Sequence, residues 1–362
     1  MRLEELDFVF PEELIAQRPC DPRDACRLLV GDPASASIAD RTFAELPILL
    51  RSGDVLVLNE SKVLPARAWA TKDTGGKVEL LFLRRVEEPQ LAGGPLEAPA
   101  EAWEALARPS ARLRPGLTLH LAGGEALTLG RLIGDGRWIV IRSGCPGVVD
   151  LLHRHGVMPL PPYIHAPLAD PAEYQTVYAA VPGSAAAPTA GLHFTPTLLE
   201  ALRVAGVEVE RVTLHVGVDT FRPVTEEVVE RHAIHSEAYH VEEATLTRLD
   251  AARAEGRRLV AVGTTSVRVL ETLYRSVSRR SPASAPSSGD TSLFITPGFR
   301  FRAVDALLTN FHLPRTSLLA LVMAFGGVEF VRDIYHHAVS ERYRFFSFGD
   351  AMFLTGGSEG RP

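Results

Sequence analysis

Cysteine is scarce in this chain: Cys20, Cys26 and Cys145 are all it has in 362 residues. Three thiols cannot build a disulfide framework, and none stands at the spacing of a zinc site. Long apolar runs are absent too, and the first residues, Met1-Arg2-Leu3-Glu4-Glu5-Leu6-Asp7, lack the basic-then-apolar pattern of a secretory signal. The chain is therefore expected in the cytoplasm with no membrane partner. Positive charge is not in excess, because the formal net charge is −6. Non-specific nucleic-acid affinity comes from many Lys and Arg contacts to phosphate, so a generally basic binder is excluded and any RNA contact needs a local patch. No strand leads into a G-x-G-x-x-G fingerprint with an acidic ribose partner. His232, His235 and His240, and the pair His153 and His155, lie close in sequence without a matching carboxylate or thiolate framework, so no metal is expected.

What is present is 46% hydrophobic residues, enough for one large domain or two. From about Ala66 to Asp150 the pattern is short alternating runs broken by glycine, namely Lys77 to Leu83, Leu117 to Leu121 and Arg137 to Ile141. That spacing predicts a small β-barrel or sandwich rather than βαβ units. Glu87 to Ala107, rich in Pro, Gly, Ala and Glu, reads as a lengthened loop on it. On both sides strands alternate with helices, expected near Pro196 to Ala205, Val241 to Glu255 and Val328 to Tyr343. Ser276 to Asp290 reads as a low-complexity loop. The fold class is mixed α and β and multidomain: an α/β domain of residues 1–62 and 160–362, interrupted by a β-barrel of residues 63–159.

Three segments stand out. Gly183-Ser184-Ala185-Ala186-Ala187-Pro188-Thr189-Ala190-Gly191-Leu192-His193-Phe194 has almost no side-chain bulk until it ends on a histidine and a ring. Such a segment suits close approach of backbone amides to a ligand. Leu259 to Glu271 reads as a buried strand, a Gly-Thr-Thr-Ser turn and the first turn of a helix, where free amides attract anions; Thr264, Thr265 or Ser266 acting as a plain helix cap is the competing use. Leu307 to Ser317 takes an apolar strand into polar residues, a proline and a helix starting near Ser317. Small or polar residues at three strand exits predict a single cleft at the edge of an α/β sheet.

These segments, with Tyr174-Gln175-Thr176-Val177-Tyr178, Leu214-His215-Val216-Gly217, Thr220-Phe221-Arg222-Pro223-Val224 and His235-Ser236-Glu237, resemble the S-adenosylmethionine:tRNA ribosyltransferase-isomerase family of queuosine biosynthesis. The likeness continues through Asn59-Glu60-Ser61-Lys62-Val63-Leu64-Pro65-Ala66-Arg67, His155 to Ile164 and Arg342 to Met352, so nearly the whole chain is covered in order. The chain departs from the family pattern at Val218-Asp219, at Ala185, and at Cys26, where a serine is common. The resemblance implies an α/β domain with an inserted barrel and S-adenosylmethionine as co-substrate. It also implies a tRNA bearing 7-aminomethyl-7-deazaguanine at the wobble position, with the products epoxyqueuosine, adenine and methionine. The protein is expected to act as a monomer. A methyltransferase using the same cofactor and a non-catalytic anticodon-loop binder are the alternatives; the mass gained by tRNA separates all three.

Chemistry of this kind needs a base, desolvation and positioning. Imidazole titrates near working pH, so His193 and His215, then His235, with Glu237 as an alternative carboxylate, are the candidate catalytic residues. His193 is preferred. Thr189, Gly191, Phe194, Gly263, Thr264, Thr265, Ser266, Asn310 and His312 are candidates for the co-substrate. Asn59, Lys62, Arg67, Arg222, Arg268 and Arg315 are candidates for tRNA, mainly because the guanidinium fork matches phosphate. Tyr163, Phe221 and Phe311 are rings able to stack on a base, although core packing is the commoner use of any one ring.

Overall fold

A computed structural model describes residues 1–86, 100–144, 146–217, 223–276 and 285–356. Apolar runs buried on both faces become the middle of a nine-stranded sheet. Its order is β15 (Ser288–Thr291), β13 (Glu237–His240), β12 (Glu208–Leu214), β3 (Val55–Asn59), β14 (Leu259–Val262), β16 (Ala306–Asn310), β17 (Ala351–Thr355), β1 (Arg27–Asp32) and β2 (Ser37–Thr42). β12, β3, β14 and β16 run parallel. β17 is antiparallel to β16 and parallel to β1, and β13, β15 and β2 pair antiparallel with their neighbours. Every residue of β3, β14 and β16 is buried, the Val, Leu and Ala runs and also the polar ends Asn59, Thr309 and Asn310.

The expected helices form as Pro196–Val204, Glu243–Ala254 and Val328–Ser340. Pro196–Val204 illustrates the local cause. The Thr195 hydroxyl accepts the Leu198 amide at 3.1 Å, Pro196 takes the first helical position, and Leu198 and Leu202, one turn apart, are buried. They join a core with Leu56, Leu58, Val260, Val262, Ala306, Leu308, Phe353, Phe43 and Phe194. Two details differ from expectation. β14 passes straight into the helix Gly263–Ser276, so the Gly-Thr-Thr-Ser segment is the helix's first turn rather than a separate one. Ser288–Thr291 is a strand pairing with β13, where a loop was expected through Asp290; residues 277–284 lie outside the described residues.

The chain divides into two compact units, residues 1–61, 161–181 and 187–362, and residues 62–160 with 182–186. The second holds a closed barrel in the order β10 (Arg137–Ser143), β7 (Ala100–Arg108), β6 (Lys77–Val86), β5 (Arg67–Lys72), β8 (Thr118–His120) and β9 (Ala126–Gly134). Small Ala68, Ala70, Ala105 and Ala107 alternate inside it with Phe82, Trp103 and Trp138, as the narrow interior of a six-stranded barrel requires. The helix Val148–His155 sets Val148, Leu151 and Leu152 against that core. β7 corrects the loop reading of Glu87 to Ala107: Ala100 onward is strand, and residues 87–99 lie outside the described ones. Two short strands, β4 (Ser61–Val63) and β11 (Val181–Ser184), pair separately.

Candidate functional site

The parallel strands β3, β12, β14 and β16 end on one edge of the sheet. Because β3, early in the chain, lies between the later β12 and β14, the order reverses there, which is where α/β sheets open a crevice. Beyond these ends lies a pocket open to solvent. The three segments expected to converge do so through Ala187 to Ala190, Gly263 to Thr265 and Thr309 to Leu313. Of the candidates for the co-substrate, Thr189, Gly263, Thr264, Thr265, Asn310 and His312 line it. The segment Phe346-Ser347 and Tyr163 complete it. Among the described residues no Lys, Arg, Asp or Glu is in the lining. Gly263, at φ +81°, carries the chain from strand to helix in a conformation side chains resist. The helix it opens has first-turn amides with no intrahelical acceptor.

His193 is buried behind the pocket wall. Its Nε2 meets Asn310 Nδ2 at 3.0 Å and its Nδ1 meets Cys26 Sγ at 3.2 Å. Burial first, then the nearby positive charges of Arg344 and Arg23, push its pKa down to about 3, so the ring is neutral. Asn310 also donates to the Phe346 carbonyl at 3.2 Å and accepts the Thr189 hydroxyl at 3.0 Å. Phe346 holds φ +70°, an outlier for a bulky residue. The Tyr163 hydroxyl meets Ser347 Oγ at 2.7 Å, and its ring lies 5.0 Å from that of Phe346.

His312 reaches the pocket itself. Its Nε2 meets Thr309 Oγ1 at 2.9 Å, its amide donates to the Tyr335 hydroxyl at 2.8 Å, and burial pushes its pKa down to about 3. His215 follows β12 next to pocket-lining Val216. Its backbone amide bonds Ala238 at 3.1 Å, its Nδ1 is buried with no hydrogen-bond partner, and burial lowers its pKa.

Other candidates sit elsewhere. Phe194 is fully buried in the sheet core, edge-on to Phe43, so it packs and meets no ligand. Gly191 makes room for the Tyr178 hydroxyl, which a Cβ there would approach to 2.0 Å. The Ser266 hydroxyl donates back to the Val262 carbonyl at 2.8 Å. Asn59 is buried behind Thr265, bonding its Oγ1 at 3.3 Å and both the carbonyl and the amide of Leu214; it ties β3 to β12 and offers nothing to a phosphate. Arg268 is committed inward: its guanidinium bonds Glu237 and the carbonyls of Thr291 and Leu293. Glu237 in turn accepts the Gly217 amide at 2.9 Å. Both side chains of this pair are under 10% exposed, which removes Glu237 as a free base and Arg268 as a phosphate contact. His235 precedes β13 outside the pocket lining. Arg315, at φ +55°, pairs with Asp7 at the surface. In the barrel unit Lys62 is exposed on β4, and Arg67 pairs with Glu79 at 3.1 Å. Arg222 lies outside the described residues, with Phe221, Val218 and Asp219.

Sequence reasoning gave no site role to Cys26, Phe346 or Ser347, while Thr309 and Thr316 stood in a segment expected at the cleft without a role of their own. Phe346 and Ser347 stood in a motif without an assigned role. Among the described residues no group of three or more His, Cys, Asp or Glu side chains comes together to hold a metal, and no helix is long and apolar enough to cross a membrane.

Residues 3–354 match the family described as Queuosine biosynthesis protein. A protein of Rubrobacter xylanophilus named S-adenosylmethionine:tRNA ribosyltransferase-isomerase is 54% identical over 357 residues, 99% of this chain and 98% of the relative. A protein of Symbiobacterium thermophilum with the same name is 49% identical over 358 residues, 98% of this chain and 100% of the relative. The crystal structure of S-adenosylmethionine tRNA ribosyltransferase from Thermotoga maritima is 38% identical, covers 97% of this chain and 99% of its own, and superposes with a TM-score of 0.54.

Proposed function

This chain belongs to the queuosine biosynthesis protein family, and we propose that it transfers and isomerises the ribosyl part of S-adenosylmethionine. The acceptor is the aminomethyl group of 7-aminomethyl-7-deazaguanine at the tRNA wobble position, and the products are epoxyqueuosine-tRNA, adenine and methionine. The sulfonium acidifies the adjacent 5′ carbon, so that loss of a proton there can accompany departure of adenine and attack by the amine.

The observation that carries this reading is a pocket at the carboxyl edge of the sheet whose lining, among the described residues, is hydroxyls, an amide, rings and an imidazole without a charged side chain. The rings of Tyr163, Phe346 and Phe311 can face a cation without neutralising it. A carboxylate beside the sulfonium would offset its charge and weaken the acidity on which the proton loss depends. The first-turn amides of Gly263–Ser276 suit the co-substrate's carboxylate. For the base we propose His312, which is in the lining: in the tautomer that donates Nε2–H to Thr309, Nδ1 keeps a lone pair for the proton. His193, with both nitrogens engaged, serves Asn310 instead of the proton.

For the tRNA backbone we propose Lys62, Arg67 and Arg315, whose present partners, where they have them, are at or near the surface and therefore easily exchanged for phosphate. The reading includes a cytoplasmic monomer; Cys20 and Cys26 are free thiols, in keeping with a reducing compartment. The test is the mass of tRNA carrying the aminomethyl base after incubation with S-adenosylmethionine. Addition of the ribosyl-derived unit is expected, whereas methyl addition or no change overturns the reaction. His312→Ala is expected to slow the addition about 10²–10⁴-fold with the fold intact, the range of a positioned general base; full turnover removes His312 from the role.

A further inference from the structure

The hydrogen-bond polarity of one pocket wall is set from behind it. The Phe346 carbonyl can only accept, and it takes the Gly349 amide at 3.0 Å and Asn310 at 3.2 Å. The Asn310 atom facing it must therefore be the NH2 group, since the flipped amide would set carbonyl against carbonyl. Both protons of that group are then assigned, one to Phe346 and one to His193 Nε2 at 3.0 Å. His193 Nε2 must be the bare nitrogen, so its proton sits on Nδ1 and points at Cys26 Sγ, 3.2 Å away. On the other side Asn310 Oδ1 can only accept, so the Thr189 hydroxyl gives it its single proton at 3.0 Å. Thr189 lines the pocket. What it shows a ligand is oxygen lone pairs.

We propose that Cys26 and His193 are positioning residues which lock the Asn310 amide, so that Thr189 is an obligate acceptor in the pocket and the ligand group seated against it is an N–H or O–H donor. Resting on the reaction proposed above, that donor belongs to S-adenosylmethionine: its adenine amino group, its ribose hydroxyls and its ammonium are the groups of the right kind. His193 never titrates in this scheme. Its work is to refuse the second proton of a reversed amide, and the Cys26 sulfur accepts the Nδ1 proton that this tautomer creates.

Two measurements test the lock and the ligand separately. Nitrogen-15 NMR of the histidine-labelled wild-type chain between pH 5 and 8 is expected to show His193 neutral, protonated at Nδ1 and bare at Nε2, and Cys26→Ser, which keeps an acceptor, is expected to preserve that pattern. An Nε2-protonated ring or an imidazolium in that range overturns the lock. Binding of S-adenosylmethionine to Thr189→Val is expected to weaken at least about tenfold, the effect of one lost hydrogen bond to a buried group. Thr189→Ser is expected to stay within about threefold, because it keeps the same oxygen. Unchanged binding by Thr189→Val overturns the ligand assignment. A wild-type chain that binds no S-adenosylmethionine overturns the proposed reaction and that assignment together, while the tautomer still decides the lock.

Discussion

Replacing either member of the Glu237–Arg268 pair separates a structural role from a catalytic one. Arg268 makes three inward contacts, to Glu237 and to the carbonyls of Thr291 and Leu293, and both side chains of the pair are under 10% exposed. Glu237→Gln keeps the shape but leaves a buried guanidinium whose remaining partners are two carbonyls, so it is expected to cost about 3 kcal/mol. Arg268→Ala takes the guanidinium away from a buried carboxylate and from the carbonyls of Thr291 and Leu293, which puts it at about 5 kcal/mol. The double replacement Glu237→Gln with Arg268→Met should cost less than the sum, since neither variant then faces an unpaired charge. Thermal unfolding reads this directly: at about 2–4 °C per kcal/mol for a domain of this scale, Glu237→Gln should melt roughly 6–12 °C lower. Turnover of the fraction that stays folded should change little. A Glu237→Gln protein that melts like wild type yet loses turnover by orders of magnitude would refute the structural reading and return Glu237 to the chemistry.

Two further outcomes follow from burial. His193 and His312 are held at about 3 when folded against about 6.5 in the unfolded chain. Below pH 6.5 the unfolded chain takes protons that the folded one refuses, so stability is complete above that pH and falls toward pH 3, by about 1.4 kcal/mol per pH unit for each histidine. Urea midpoints between pH 6 and 4.5 should show His312→Asn with a slope shallower by about that amount, and an unaltered slope contradicts the buried neutral ring. Gly191→Ala drives a methyl to within 2.0 Å of the Tyr178 hydroxyl and is expected to cost about 1–3 kcal/mol. Tyr178→Phe added to it should recover part of that in a denaturation series, because the hydroxyl it removes makes no hydrogen bond; no recovery points to the backbone instead.

The sheet was legible where one property decides. Residues 55–58, 259–262 and 306–308 are apolar throughout because both faces are covered, and polar Asn59, Thr309 and Asn310 come only at the strand ends. The barrel strands were legible by alternation. Ala100–Arg108 was not, because its alanines have little strand preference and follow a Pro- and Gly-rich stretch. The strand-to-helix junction at Gly263 was misread for a related reason: threonine and serine look alike whether they form a turn, cap a helix or lie in its first turn. In the site, convergence of three segments could be inferred from strand ends. The pairing of Cys26 with His193 could not, since it joins residues 167 positions apart. Nor does a phenylalanine announce the φ of +70° at Phe346.

The histidines show why ranking residues by their chemistry alone goes astray. A reader of sequence favours His193 because imidazole can take a proton near neutral pH, but that property requires water or an anion to share the charge. Burial lowers the pKa of His193 and His312 alike; what sets His193 apart is that both its ring nitrogens are engaged, and what survives is a rigid ring with one donor and one acceptor. Such a ring is well suited to orienting an amide. The same logic applies to the charged candidates, because Glu237 and Arg268 satisfy each other away from the pocket lining. A pocket left with hydroxyls, an amide, rings and one accessible imidazole favours a ligand that brings its own charge, and a sulfonium does so. The positive centre that drives the proposed chemistry would then enter with the substrate, leaving the protein to hold it among the uncharged groups that line the pocket in the described residues.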